Sequence, residues 1–117
     1  MTQTLKAGEH KLVMTRLVND RVAGDAEFAK FVWASLVRFN RGDWGSVSTD
    51  DWKANDADLE SLNSGGWYGR ILGSYCLLRP RTNTITAVIW IIRGRRFGGL
   101  PDARNTAAIT VLFDYEY

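Results

Sequence analysis

The residues best suited to binding chemistry form an arginine-rich stretch at residues 93–105. Besides three glycines, this stretch contains Arg93, Arg95, Arg96, Phe97 and Arg104. Guanidinium groups grip phosphate and carboxylate oxygens, and a neighbouring aromatic ring can stack on a nucleobase. The glycine spacing matches neither a phosphate-binding loop nor a dinucleotide fingerprint. We therefore predict a basic loop that contacts an anionic partner, with an ordinary solvated hairpin loop as the alternative.

A second candidate for partner binding is a short segment, residues 41–45, in which Gly42 and Gly45 bracket Asp43 and Trp44. Glycine adopts backbone angles forbidden to other residues, and aspartate accepts amide hydrogen bonds in turns. We expect this segment, called the elbow below, to join two helices whose crossing Trp44 anchors. The alternative is an exposed Trp44–Asp43 knob that contacts a partner.

Catalytic chemistry has little support among the residue types present. His10 is the only histidine and Cys76 the only cysteine, so a histidine-assisted nucleophile is not expected. The adjacent carboxylates Asp50 and Asp51 suit a helix N-terminus, and nothing supplies the further ligands of a transition-metal site. A weak hard-cation site is the remaining alternative. We expect no catalytic residue, no metal and no cofactor, and favour a binding protein over an enzyme.

The charges are separated along the chain. The net charge of +2 does not by itself indicate a nucleic-acid partner. Residues 43–60 contain six carboxylates opposed only by Lys53, whereas residues 70–104 contain seven arginines opposed only by Asp102. An acidic region and a basic region on one molecule can steer a charged partner, although two solvated faces would give the same pattern.

Length and hydropathy predict one cytoplasmic domain. A chain of 117 residues fits a single domain, here residues 1–117 with a loose start at residues 1–10. The sequence begins without a basic, apolar and small-residue signal segment. The longest apolar run, residues 87–92, is too short to cross a bilayer, so no membrane contact is expected. A lone, reduced Cys76 agrees with a cytoplasmic compartment.

Hydrophobic periodicity predicts an α+β fold. A first strand is expected at residues 11–18, followed by a helix capped by Asp25 and a second helix beginning near residues 48–51. Strands are then expected at residues 70–78, 84–92 and 106–113, with a hairpin at residues 80–83. The predicted order is β-α-α-β-β-β, an antiparallel four-stranded sheet with two helices packed on one face. Trp33, Val37, Trp52 and Trp90 are expected to be buried.

The sequence around the elbow resembles a family of short proteins commonly labelled plasmid-related. The resemblance covers residues 13–117 with two gaps, and departs from the family in the basic loop and in the last residues. It rests on Arg38-Phe39-Asn40-Arg41-Gly42-Asp43-Trp44-Gly45, Asp50-Asp51, Asn55, Arg70-Ile71-Leu72-Gly73-Ser74-Tyr75, Trp90-Ile91-Ile92 and Thr110-Val111-Leu112-Phe113-Asp114-Tyr115-Glu116-Tyr117.

This resemblance implies an origin on mobile DNA, such as a plasmid or a phage. Small non-enzymatic proteins in that setting often resemble inhibitors of host defence, including anti-CRISPR proteins. The expected function is therefore that of a mobile-element accessory protein that inhibits a host defence system by binding. The expected partner is a protein or ribonucleoprotein complex of that system, with nucleic acid or a nucleotide as the alternative ligand of the basic loop.

Two other functions remain open. The element order is similar to that of RelE-type ribosome-dependent RNase toxins, which would place Arg70, Arg93, Arg96 and Tyr117 around a scissile phosphate. A nucleotide-binding sponge that sequesters a signalling nucleotide would instead use Trp44 and Trp67 as stacking surfaces. The oligomeric state stays open, because exposed edge strands can pair two copies into a dimer.

Overall fold

The computed structural model describes residues 12–64, 70–94 and 108–117 of the chain. These residues form an α+β fold of four strands and three α-helices, followed by a short 3₁₀ turn. In chain order the elements are β1 (Leu12–Met14), α1 (Arg16–Gly24), α2 (Ala26–Asn40), α3 (Thr49–Asn63), β2 (Ile71–Arg79), β3 (Thr84–Arg93), β4 (Ile109–Phe113) and the 3₁₀ turn Asp114–Glu116.

The four strands form one mixed sheet in the order β1-β4-β3-β2. The predicted antiparallel meander of β2, β3 and β4 is confirmed, and β3 lies inside the sheet as expected. The all-antiparallel prediction was wrong, because β1 pairs in parallel with β4. A parallel arrangement requires a long crossover. Here the helices between β1 and β2 provide it, so β1 runs in the same direction as β2 and β4.

The prediction of two helices was also wrong, because α1 occupies a segment assigned to the first strand and its turn. The strand ends at Met14, and the Thr15 hydroxyl then caps α1 by accepting a 3.3 Å hydrogen bond from the Val18 amide. Val18 is fully buried, and α1 packs against α2 and β4. Capping and burial therefore outweigh the local preference of these β-branched residues for a strand.

Helix α2 lies where the sequence predicted it, but it buries a narrower stripe. The Asp25 carboxylate caps it through the Phe28 amide, at 3.1 Å. Trp33 and Val37 were expected to widen the buried stripe; instead they are 55% and 49% exposed. A helix in a two-layer fold covers the sheet with one side only, so its opposite side stays in solvent. The buried residues of α2 are Phe28, Val32, Ser35, Leu36 and Phe39.

Helix α3 begins where its capping residues predicted. The Ser48 hydroxyl accepts a 3.1 Å hydrogen bond from the Asp51 amide, and Asp50 and Asp51 lie in the first turn. Trp52 is half-buried and packs against the main core instead of lying inside it. Within the described residues, no helix combines the length and apolar character needed to cross a membrane.

Candidate binding surface

The elbow runs along the edge of β2 and makes an isolated, one-residue β-bridge there. The Ser74 amide donates to the Trp44 carbonyl at 3.0 Å, and the Ser46 amide donates to the Ser74 carbonyl at 2.8 Å. Gly45 forms a parallel bridge with Ser74 at a φ of +74°. A Cβ atom at Gly45 would overlap the Ser74 carbonyl oxygen, so only glycine permits this close approach.

Asn55 of α3 extends the same edge pairing with its side chain. Its amide nitrogen donates to the Leu72 carbonyl at 2.7 Å, and its amide oxygen accepts from the Leu72 amide at 3.2 Å. The Asn55 side chain therefore takes the place of a neighbouring strand at Leu72, as the elbow does at Ser74. A sheet edge that would otherwise present open backbone groups is covered.

Trp44 is an interior anchor, which corrects the alternative of an exposed knob. It is only 2% exposed, and its ring meets the edge of Phe39 with 5.3 Å between centroids. The indole N–H donates to Asp56 at 2.9 Å. Since a buried indole N–H needs an acceptor, Asp56 links the elbow to α3.

Asp43 is held by three groups at once. Arg38 donates to it through Nε at 2.8 Å and Nη2 at 3.3 Å, and the Gly45 amide donates at 3.1 Å. The hydrogen bond from Arg38 is the main cause that lowers the pKa of the Asp43 carboxyl, with partial burial opposing it. The Tyr75 hydroxyl donates to the Asp43 carbonyl at 2.7 Å. Burial, with a further contribution from the Asp43 charge, raises the pKa of Tyr75 and keeps this donor protonated.

Gly73 makes room for that Tyr75 contact. A Cβ atom at Gly73 would come within 2.7 Å of the Tyr75 ring, which lies across the bare backbone toward the elbow. Sequence reasoning missed Gly73, Tyr75 and Asn55. The available signals were a glycine two residues before a tyrosine in a strand, and an asparagine on the apolar side of a helix.

The charge of Asp43 gives the fold a defined acid dependence. Because the folded-state pKa lies below the unfolded value of about 3.9, its stabilisation is present above about pH 4 and is lost as the pH falls through the folded value. The pair is partly exposed, so it contributes about 1 kcal/mol or less. We expect Asp43→Asn to be less stable than the parent at pH 6, with a smaller difference at pH 2.5. Urea denaturation at both pH values measures this difference, and a constant gap would contradict it.

The sheet face opposite the helices carries a second set of side chains, called the outer face below. Paired residues share a face, and Ser74, Trp90 and Leu112 are cross-strand neighbours, while Tyr75 and Ile89 point into the helix-covered core. Trp90, predicted to be buried, is only half-buried. The outer face comprises Leu72, Ser74 and Cys76 of β2, Val88, Trp90 and Ile92 of β3, and Thr110 and Leu112 of β4. Ile92 and Leu112 are buried, and the other six are partly exposed.

Arg70, Tyr117 and Trp90 form a stack beside this outer face. The Tyr117 ring meets Trp90 with 5.0 Å between centroids at an interplanar angle of 60°. The Arg70 guanidinium lies 4.8 Å from the centroid of the Tyr117 ring. Tyr117 is 55% exposed and Arg70 is exposed. The arrangement thus offers an aromatic surface beside a cation.

The hairpin between β2 and β3 carries further arginines. Arg79 and Arg81 are exposed, and Arg81 and Asn83 adopt φ angles of +74° and +55° in the turn. Residues 70–94 contain four arginines and no carboxylate. None of the ion pairs between described residues involves Arg70, Arg79 or Arg81.

The predicted basic loop is described only at its start. Arg93 is the last residue of β3 and is half-buried. It pairs with Ile71 and Ile109, which face the core, so its side chain lies on the core side of the sheet and not on the outer face. Arg95, Arg96, Phe97 and Arg104 lie outside the described residues, as does Trp67. The other predicted partner-binding residues are Asp43 and Trp44, and both side chains make contacts within the protein.

Comparisons with protein-family models, with curated proteins and with solved structures found no match to this chain. In the part of the chain that the structure describes, no three histidine, cysteine or acidic side chains are grouped as a metal site would need. The candidate binding surface consists of the arginines and aromatic rings of the β2–β3 region.

Proposed function

We propose that this protein acts by binding an anionic partner, as a mobile-element accessory protein that inhibits a host defence complex. The observation that carries the proposal is the surplus of positive charge on β2, β3 and their hairpin. Four arginines lie within residues 70–94 with no carboxylate among them. Three of them, Arg70, Arg79 and Arg81, are exposed, and exposed guanidinium groups suit phosphate or carboxylate groups on a partner.

Negative charge is concentrated on α3, and this separation of charges favours one orientation of a bound partner. Helix α3 carries five carboxylates and one lysine within Thr49–Asn63. An anionic partner is attracted to the hairpin side and repelled by α3, so charge selects one docking orientation. A ribonucleoprotein complex of a defence system has the required anionic surface.

The mobile-element setting comes from the sequence resemblance around the elbow. The elbow itself supports a structural role, since its glycines, Asp43 and Trp44 are used in covering the β2 edge and joining α2 to α3. Binding is accordingly assigned to the β2–β3 side and not to the elbow.

An RNase of the RelE type is the second candidate. The contact between the Arg70 guanidinium and the Tyr117 ring favours it, because both residues would be needed beside a phosphate. Such an enzyme should cleave ribosome-bound message and arrest growth on expression. A nucleotide sponge should instead carry a small nucleotide through purification and release it on denaturation.

The proposed function predicts that reversing the hairpin charges abolishes capture of the partner. We expect the double variant Arg79→Glu/Arg81→Glu to recover at least about tenfold less of a defence complex in affinity purification from cells with active defence systems. Both side chains are exposed, so the variant should keep the parent's thermal midpoint.

The matched control is Arg16→Glu/Lys30→Glu, which makes the same change in net charge on α1 and α2. Arg16 and Lys30 are also exposed. Capture should survive in this control. An equal loss of capture in both double variants would show that only net charge matters. Equal capture by the hairpin variant and by the parent would show that the hairpin does not bind the partner.

A further inference from the structure

We propose that the stack of Arg70, Tyr117 and Trp90 is a binding site for single-stranded nucleic acid, in which an unpaired base stacks on the side of the Tyr117 ring that Arg70 does not cover and Arg70 holds the adjacent phosphate. This inference rests on the proposed function, since it names the chemistry of the anionic partner. The site lies on the outer face, away from the elbow.

The Tyr117 ring contacts Trp90, and the residue stays partly open to solvent. Trp90 of β3 meets the Tyr117 ring in a tilted contact, and the Tyr117 residue as a whole remains 55% exposed. Every nucleobase has a flat apolar face, so an exposed, fixed ring binds unpaired bases with little sequence preference.

Arg70 supplies the charge next to that ring. Its guanidinium lies 4.8 Å from the Tyr117 ring centroid, and it takes part in none of the ion pairs between described residues. Stacking on the ring limits the motion of the guanidinium but leaves its edge N–H groups able to donate to phosphate oxygens. Glu116, the carboxylate next to Tyr117 in sequence, is engaged elsewhere, accepting from the Thr15 hydroxyl and the Phe113 amide at 2.8 Å each.

The outer face extends from this stack toward the hairpin arginines, which favours a strand over a free nucleotide. Strand β2 has nine residues, and at about 3.3 Å per residue it extends roughly 30 Å from Arg70 to Arg79. Exposed Leu78 and Ile85 continue the row of outer-face side chains near the hairpin. A chain of several nucleotides can contact the ring at one end and Arg79 and Arg81 at the other.

The test uses fluorescence anisotropy with a labelled oligouridylate and an oligodeoxythymidylate of about 15 nucleotides each. We expect Tyr117→Leu to weaken binding about tenfold without changing its salt dependence, because it removes stacking and no charge. Tyr117→Phe should bind like the parent. The matched control is Tyr115→Leu, since Tyr115 is an exposed aromatic residue that stacks on Phe113 and not on this site.

Arg70→Gln should behave differently from Tyr117→Leu. If Arg70 holds one phosphate, its loss should reduce the slope of log affinity against log salt by about 0.7. Arg16→Gln, which removes one exposed charge from α1, should leave that slope unchanged. The comparison of RNA and DNA probes shows which strand is preferred, and either preference supports the site.

Three results would overturn the inference: no binding of either probe, parent-like binding by Tyr117→Leu, or competition by uridine monophosphate as strong as by the oligonucleotide. The proposed function fails separately. If the oligonucleotide results are as expected but the hairpin double variant still captures a defence complex, the stacking site stands and the assigned docking surface does not. If Tyr117→Leu binds the oligonucleotides normally while reversal of the hairpin charges abolishes capture, the docking surface stands and the stacking site does not.

Discussion

Replacing Trp44 with alanine should lower the free energy of unfolding by about 3–5 kcal/mol. The side chain is 2% exposed and packs edge-on against Phe39, so its removal leaves a large cavity between α2, α3 and β2. It also leaves Asp56 without the indole N–H that it accepts at 2.9 Å. We expect a correspondingly lower midpoint in urea denaturation followed by circular dichroism.

Two further variants separate the parts of this effect. Trp44→Phe keeps most of the apolar contact and loses the hydrogen bond, so it should cost about 1–2 kcal/mol. Trp33→Ala is the matched control, because Trp33 is 55% exposed on α2 and its loss should cost under about 1 kcal/mol. A Trp44→Ala protein as stable as the Trp33→Ala protein would show that Trp44 is not the anchor.

Replacing Asn55 with alanine should cost about 3 kcal/mol, the second largest effect. The Asn55 side chain satisfies both backbone groups of Leu72, at 2.7 and 3.2 Å, on the edge of β2. Alanine leaves that amide and that carbonyl without partners beneath α3. Thermal denaturation and hydrogen exchange at the Leu72 amide should both report the loss, with faster exchange at Leu72 than at the Ser74 amide.

A charge variant at the same position gives a pH test. In Asn55→Asp the introduced carboxylate can accept from the Leu72 amide but faces the Leu72 carbonyl oxygen, so its folded-state pKa should be raised. The variant should therefore gain stability relative to the parent as the pH falls from 7 toward 4, which is the opposite of the Asp43 dependence. Asn19→Ala, at an exposed site on α1, should be neutral or slightly stabilising, because alanine favours helix more than asparagine does. Parent-like stability of Asn55→Ala would contradict the edge-covering role.

These effects show how the elbow positions the rest of the molecule. The elbow and Asn55 fix β2 at Ser74 and Leu72, and the register of β2 with β3 places Ser74 beside Trp90 on the outer face. The position of β2 therefore determines both how its edge is covered and which side chains lie on the outer face. A variant that releases the elbow should also weaken the aromatic stack, whereas a variant in the stack should leave the elbow intact.

The sequence alone determined the features that depend on neighbouring residues. Asp25 and Ser48 indicated the starts of α2 and α3, and the hairpin at residues 80–83 was visible from its turn residues. The change from helical to alternating periodicity predicted three strands in an antiparallel meander. These signals are readable because caps, turns and periodicity act over a few residues, within one element.

Only the tertiary structure decided the features that join distant segments. Residues 16–24 became α1 because Val18 could be buried against α2 and β4, and β1 runs parallel to β4 because three helices carry the chain back across the sheet. Trp33 and Trp44 are the same residue type, yet Trp33 is exposed and Trp44 is buried. Burial depends on which element packs against the side chain. The contact of Arg70 with Tyr117 joins residues far apart in sequence, and their meeting follows from sheet order, which no local pattern encodes.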